Sequence, residues 1–289
     1  MNSVAEIRHH IKVIEDTSKI TRAMYLISSA KMKRAMRVHD QNMKFFDQVR
    51  RGIRFVLDNS EQPLNSHFFR EHGKNAAYIV LAGDKSLCGG YNHQVLRHAL
   101  DAIKNGGHGR VRLFTVGHMA TEFFARNGFQ PDNRYEHVGQ NPSLRNARNV
   151  TAHLTEIFLS KDVDEVNVVY TMMKGAEMAP TVLRIMPLLA KDFPNVEPLH
   201  EKVSDFTFYP TPSEVGEAMA HHYLMGLVYS ALAQSFAAEN RARMTAMDNA
   251  TRNANAMLDQ LRLDMNHVRQ GAITQEIAEI VSGAQQEEF

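Results

Sequence analysis

The sequence predicts an α/β fold carrying a long antiparallel coiled coil, in which the N- and C-terminal helices pair and a Rossmann-like, mainly parallel sheet domain lies between them. Three observations lead there. Both ends are long, helix-forming and almost free of breakers, the C-terminal end carries a sustained heptad, and the middle alternates β-rich runs with helical stretches. The boundaries expected are an N-terminal helix over 1–60, a central α/β domain over 74–210 and a C-terminal helix over 212–286.

From Val4 to Asp58 there is no proline, Gly52 is the only glycine, and Ala, Met, Lys, Arg and Gln abound. At about 1.5 Å per residue such a helix is roughly 80 Å long. Val4, Ile7, Ile11 and Ile14 recur at alternating steps of three and four; Ile20, Met24 and Ile27 then form the next apolar set, which predicts a shift of register, a local stutter in the supercoil. At the other end Pro212 or Ser213 starts a helix that runs to Gln286. Within it Met244, Met247, Thr251, Ala254, Leu258, Leu261, Met265, Val268 and Ala272 hold an unbroken heptad seam, the mark of a left-handed coil. Helices this long need a partner for their apolar stripes, and the economical partner is the other end of the same chain. In the middle, the runs Ala76–Leu81, Val111–Val116 and Glu165–Met172 alternate with helical stretches near Asn92–Lys104, His118–Asn127 and Leu144–Ser160, which reads as βαβ units. Thr181–Met186 adds an edge or antiparallel strand.

Composition narrows the function. No stretch approaches the ~18 uninterrupted apolar residues of a membrane span, and the start has neither a signal-peptide nor a transit-peptide pattern. The single cysteine, Cys88, excludes an internal disulfide framework. Basic residues outnumber acids between Arg8 and Arg54, although the net charge is only +1. This cationic arm reads as a solvated or partner-facing helix surface, because no recognition motif or aromatic stacking set for nucleic acid accompanies it.

Catalytic chemistry is thinly represented. The loop Ala82–Gly90 has glycines and Lys85, but in neither of the two phosphate-cradling orders. Cys88 near His93 suggests a nucleophile only weakly, since no oriented base or oxyanion hole can be read beside it. The 15 histidines include the pairs His9-His10 and His221-His222 without a third ligand at metal spacing, and no carboxylate pair stands out. The expectation is a chain with no active site, no cofactor and no metal of its own.

The two ends also resemble a known family. The run from Glu6, with I-R-x-x-I-K, T-x-K-I-T-x-A-M and A-K-M in order, is similar to the N-terminal signature of F1 gamma subunits of ATP synthases; the run from Glu239, with R-M-x-A-M-x-x-A-T-x-N-A and then N-x-x-R-Q-x-x-I-T-x-E-I, is similar to their C-terminal signature. The S-L-C-G-G at Ser86 matches a third, shorter motif, whereas the rest of the middle matches only in outline. This resemblance implies a rotor: a coiled coil inside a ring of alpha and beta subunits, and an α/β domain bound to the epsilon subunit and the membrane c-ring, with delta at most an indirect partner. One copy per complex, no catalytic role, no nucleic acid and a peripheral place on the cytoplasmic face of a bacterial membrane are implied with it.

Carried over by position, Arg269 and Gln270 match residues that contact a beta-subunit loop and transmit torque. Arg243, Thr274 and Glu276 match positions tied to the same coupling, Met24 a position near the beta-subunit hinge contact, and Lys85 the basic residue of the middle loop. This chain departs from the family in three places. Lys85-Ser86 stands where Arg-Gly is frequent, Asp264-Met265-Asn266 replaces a more usual apolar-Tyr-Asn, and Gln285–Phe289 is more acidic than a tip enclosed in a sleeve would suggest. Two other classes stay open on the residues themselves: a coiled-coil scaffold without rotary role, and a nucleotide-dependent enzyme seated in the middle domain.

Overall fold

The computed structural model describes residues 4–60, 64, 66–71, 73–175, 177–193 and 207–287, with the side chains of 279–287 left aside. Its order is α1 (Val4–Asp58), β1 (Ala76–Leu81), α2 (Tyr91–Asn105), β2 (Val111–Val116), α3 (His118–Arg126), α4 (Leu144–Leu159), β3 (Glu165–Lys174), β4 (Glu177–Met186) and α5 (Pro212–Glu287). The chain separates into two compact units, one of Met1–Ser28 with Arg243–Phe289 and one of Ser29–Ala242.

The larger unit is built on a four-stranded sheet in the order β2-β1-β3-β4. Strand β1 runs parallel to both neighbours, with Ala76 opposite Val111 on one side and Glu165 on the other. β4 is antiparallel to β3, with Val168 opposite Leu183 and Lys174 opposite Glu177. The expected edge strand is therefore present and antiparallel, and it begins at Glu177, earlier than Thr181. A two-residue connection through Gly175, at φ +61°, lets the chain reverse directly, so the hairpin extends to its turn.

Every residue of β1 is buried, since both faces of the sheet are covered. Ala76, Tyr78 and Val80 face α2 and α3, packing with Val95, Leu96, Ala99, Ala120 and Phe124. Ala77, Ile79 and Leu81 face a second core that holds α4 (Val150, Leu154, Phe158) together with α1 (Phe46, Val49, Ile53) and α5 (Ala220, Leu224, Val228). The long helices are thus part of this domain's core over Ser29–Asp58 and Pro212–Ala242. The outer edge of β2 is closed by a strap, in which Asp132 N–H donates to Leu113 O at 2.8 Å, Thr115 N–H to Asp132 O at 3.0 Å and Gly117 N–H to Glu136 O at 2.9 Å.

His153 of α4 pins that strap. Its Nε2 accepts from Arg134 Nη1 at 2.9 Å, its Nδ1 bonds the Tyr135 hydroxyl, and Arg134 is itself held by Asp132, Nη2 to Oδ2 at 2.8 Å. Burial first, then the Arg134 and Arg112 charges, hold the imidazole below its ordinary value against the opposite pull of Asp132 and Glu156. The folded state thus prefers neutral His153. The contribution to stability is full above the unfolded value of about 6.5 and is lost as pH falls from there through the depressed folded value. Denaturation midpoints measured between about pH 7.5 and pH 5.5 should drop more steeply for the wild type than for His153→Gln. Equal slopes would contradict this assignment.

The smaller unit is a two-helix antiparallel coil. Thr21 and Thr251 face each other with hydroxyls 2.7 Å apart, Ser18 Oγ donates to Asn255 Oδ1 at 3.0 Å, and Arg262 bonds Glu15 at 3.2 Å. This register sets Ile14 opposite Leu258, Ile7 opposite Met265 and Val4 opposite Val268. The α5 seam follows the heptad expected of it, with Met247, Ala254 and Leu258 buried. Ala272 departs from it and is exposed, because none of the described residues of α1 lies opposite α5 beyond Val268.

The α1 seam corrects the expected stutter. Ile20 and Ile27 are 61% and 56% exposed, while Thr21 and Ser28 are buried and Ser18 and Tyr25 half-buried. The heptad therefore continues in phase from Ile14 through Ser18, Thr21, Tyr25 and Ser28. Polarity misled the sequence reading: Ser18 and Thr21 can face the seam because their hydroxyls find partners across it, Tyr25 and Ser28 continue the same phase, and the isoleucines lie outside.

Candidate functional site

Because the seam positions from Ser18 to Ser28 are mostly polar, the apolar residues of this part of α1 form a stripe on its outer surface. Val13, Ile20 and Ile27, seven residues apart, are each about half exposed or more, and Leu26 adjoins them. On α5 the residues Met257, Leu263, Ile273 and Ile277 are likewise exposed. Fully burying one such side chain is worth about 1.5–3 kcal/mol, so a coil displaying so many is built to be covered.

Of the residues singled out from the sequence, four lie together. Arg269, Gln270, Thr274 and Glu276 are all exposed on α5, within two turns and past the last residue of α1 described opposite them. Thr274 Oγ1 donates to the Gln270 carbonyl at 2.9 Å, a bond internal to the helix that leaves the Gln270 side chain to point outward. The Arg269 guanidinium makes no hydrogen bond or ion pair among the described residues, and Ile273 and Ile277 follow it on the same face at i+4 and i+8. A cation and an amide beside two exposed isoleucines is the composition of an interface core and its rim. The motif that carries the resemblance contains both isoleucines, but nothing in the sequence assigned them a contact role; their spacing from Arg269 was the available signal.

Met24 and Arg243 lie elsewhere in the same unit. Both are half-buried, Met24 flanking the seam near Thr21 and Arg243 where the α5 segment of the unit begins. Along α5, Arg243 and Arg269 are roughly 40 Å apart at about 1.5 Å per residue, so these residues do not form one constellation. The acidic Gln285–Phe289 run lies outside the described residues or side chains.

Lys85 belongs to the larger unit, on the loop between β1 and α2. Asn92 organises that loop: its Oδ1 accepts from Gly83 N–H at 2.8 Å, and its Nδ2 donates to Lys85 O and to Cys88 Sγ, both at 3.3 Å. A Cβ on Gly83 would meet Glu239 at 3.0 Å and Asn92 at 3.1 Å, so glycine is what lets the loop sit against α5. Cys88 is buried, packed with Tyr91 and Ala238, and Tyr91 donates its hydroxyl to Ser235 O at 3.0 Å. Burial pushes the Tyr91 phenol far above its ordinary value, so it stays a neutral donor.

The thiol thus fastens the loop to α5, while His93 is exposed on the outer side of α2. The Gly83 amide, which a phosphate would need, is taken by Asn92. What the loop offers to a partner is Lys85 and Leu87. Leu87 is 57% exposed and held at φ +65°, a conformation costly for a branched side chain and missed in the sequence.

Among the described residues no group of His, Cys, Asp and Glu is placed to hold a metal, and no helix is long and apolar enough to cross a membrane.

A family model described as ATP synthase matches residues 3–286. Among curated proteins, the ATP synthase gamma chain of Caldanaerobacter subterraneus subsp. tengcongensis is 35% identical over 292 residues, covering 96% of this chain and 98% of the relative. The ATP synthase gamma chain of Ruminiclostridium cellulolyticum is 35% identical over 290 residues, covering 98% of both. Among solved structures, a chain in the OSCP/F1/c-ring part of the Euglena gracilis mitochondrial ATP synthase superposes with a TM-score of 0.64 at 16% identity, over 98% of this chain and 93% of that one.

Proposed function

Given that this chain belongs to the ATP synthase gamma-chain family, we propose that it is the central rotor shaft that couples ion flow through a membrane ring to ATP synthesis or hydrolysis at sites on other subunits. The observation that carries this reading is the reversed polarity of α1 between Ser18 and Ser28 in the small coil. Hydroxyl groups line the α1 side of its seam from Ser18 to Ser28, opposite Ala254 and Met247 of α5, while Val13, Ile20, Ile27, Met257, Ile273 and Ile277 face outward. A coil that acted alone in water would place them the other way round. One enclosed in a sleeve of alpha and beta subunits keeps a weakly fastened interior and offers apolar surface to the sleeve.

The mechanism follows from asymmetry. The surface of two helices has no threefold symmetry, so each of three surrounding sites meets a different set of side chains and a different contact free energy. Rotation passes these contacts from site to site and biases which conformation each site adopts. Arg269 and Gln270 are assigned to a polar contact on a beta-subunit loop, supported by Ile273 and Ile277, with Arg269 suited to a bidentate carboxylate contact. Thr274 and Glu276 extend that patch, Met24 and Arg243 act at a separate level of the shaft, and Lys85 with Leu87 meets a partner from the larger unit. The chain itself is non-catalytic and is present once per complex. Epsilon and the c-ring bind its α/β domain, delta touches it at most indirectly, and the assembly sits on the cytoplasmic face of a bacterial membrane.

The test is co-assembly. Mixed with alpha and beta subunits, the chain should enter a complex one copy at a time and support ATP hydrolysis, and Ile20→Asp with Ile27→Asp should weaken that assembly at least tenfold by placing two charges against the sleeve. Stable homo-oligomers that ignore alpha and beta subunits would instead favour a coiled-coil scaffold.

A further inference from the structure

Four hydrogen bonds inside the larger unit form one continuous chain across three elements. The Met173 N–H at the end of β3 donates to Gln234 Oε1 at 3.0 Å, and Gln234 Nε2 donates to Ser230 Oγ at 2.9 Å, both acceptors on α5. Ser230 Oγ is 2.9 Å from His39 Nε2 on α1, and His39 Nδ1 is 2.9 Å from Asp40 Oδ1. The directions are fixed by the end groups. A carboxylate only accepts, so His39 donates from Nδ1; Ser230 accepts from the Gln234 amide, which leaves the hydroxyl proton to be donated to Nε2. All donors point the same way, from the strand amide to the exposed Asp40 carboxylate, an arrangement in which each bond polarises the next.

The order Asp40, His39, Ser230 resembles a hydrolytic relay, but every member except Met173 is on a helix whose amides are spent within it. No oxyanion donor stands beside it among the described residues, and Ser230 is occupied from both sides. Its placement suits a mechanical part. Apolar packing of α1 and α5 on the sheet holds the pieces together but is itself non-directional. Hydrogen bonds are directional, and these join sheet, α5 and α1 at a single level. β1 pairs with β3 only as far as Val169, so beyond it the β3 edge away from β4 is held by α5: through Met173, and through Arg241 Nη1 donating to Gly175 O at 2.9 Å.

We propose that the Met173–Gln234–Ser230–His39–Asp40 chain is a torque key, which locks the two long helices to the sheet domain at a fixed rotational setting, and that His39 and Gln234 are positioning residues for coupling. This rests on the proposed shaft function. Whole complexes in lipid vesicles would be compared for wild type, His39→Leu, Gln234→Leu and His39→Gln, the last retaining a hydrogen-bonding group near the Nε2 position. The readout is membrane potential generated per ATP hydrolysed, followed with a potential-sensitive dye.

The expected result is a fall of about three- to tenfold in that ratio for both leucine variants and recovery in His39→Gln, with exchange of the Met173 amide accelerated about tenfold in His39→Leu. An unchanged ratio in both leucine variants, or a loss in His39→Gln as large as in His39→Leu, would overturn the key. Ser230→Ala, the mildest change, guards against misfolding: it should accelerate Met173 exchange while the complex assembles, and unaltered exchange would also overturn the proposal. Failure of the wild-type chain to enter a complex with alpha and beta subunits would count instead against the shaft function.

Discussion

Replacing Arg269 and Gln270 together by alanine should lower coupled ATP synthesis at least about tenfold while the coil stays folded, because both side chains are exposed and neither holds the coil together. The Arg269 guanidinium has no partner among the described residues, so its removal leaves no buried charge and no broken internal pair. The whole effect must therefore arise in the complex. Arg269→Lys separates two explanations: a requirement for charge alone predicts recovery, whereas a bidentate carboxylate contact predicts little. Synthesis driven by an imposed ion gradient measures the effect, with circular dichroism as the control for helix content. Unchanged synthesis in the double variant would remove these residues from the coupling contact.

Phe158→Ala should be the most destabilising single truncation in the larger unit, costing about 3–5 kcal/mol. Phe158 is fully buried at the end of α4, stacks near Phe68 with ring centroids 6.2 Å apart and meets His67 at 4.9 Å. It belongs to the core shared by the sheet, α4, α1 and α5, so the cavity would loosen the seat of both long helices as well as the domain. Because the chain has no tryptophan, circular dichroism or tyrosine fluorescence would follow urea unfolding. A loss below about 1 kcal/mol would mean that this core collapses around the gap.

The parts of the fold that were legible in the sequence are those where one rule acted without a competitor. Breaker-free composition marked α1 and α5, and the heptad from Met247 to Val268 marked the α5 seam because its apolar residues and its buried positions coincide. In α1 they do not coincide between Ile14 and Ser28. Ser18, Thr21 and Ser28 are inside and Ile20 and Ile27 outside, so an apolar period traces the surface meant for a partner. The same conflict that spoiled the register prediction supplies the strongest physical support for the function.

The candidate site was legible unevenly. Arg269 and Gln270 were given a role by resemblance, but Ile273, Ile277 and Leu87, which stand in the same motifs, were not, since an apolar residue announces neither burial nor exposure until its neighbours are placed. His39 and Ser230 are separated by most of the chain and meet only through folding, beyond the reach of any local pattern. The loop with Cys88 invited a chemical reading from its residue types. Its geometry gives a different role, with Asn92 taking the Gly83 amide and the thiol packed against α5.

The measurement that bears most directly on the central claim is observation of single complexes of this chain with alpha and beta subunits, the beta subunits fixed to a surface and a bead attached at an introduced cysteine on the exposed face of α2. With ATP present, the account predicts one-way rotation of the bead in threefold steps. A bead that stays still while the same complexes hydrolyse ATP would contradict it.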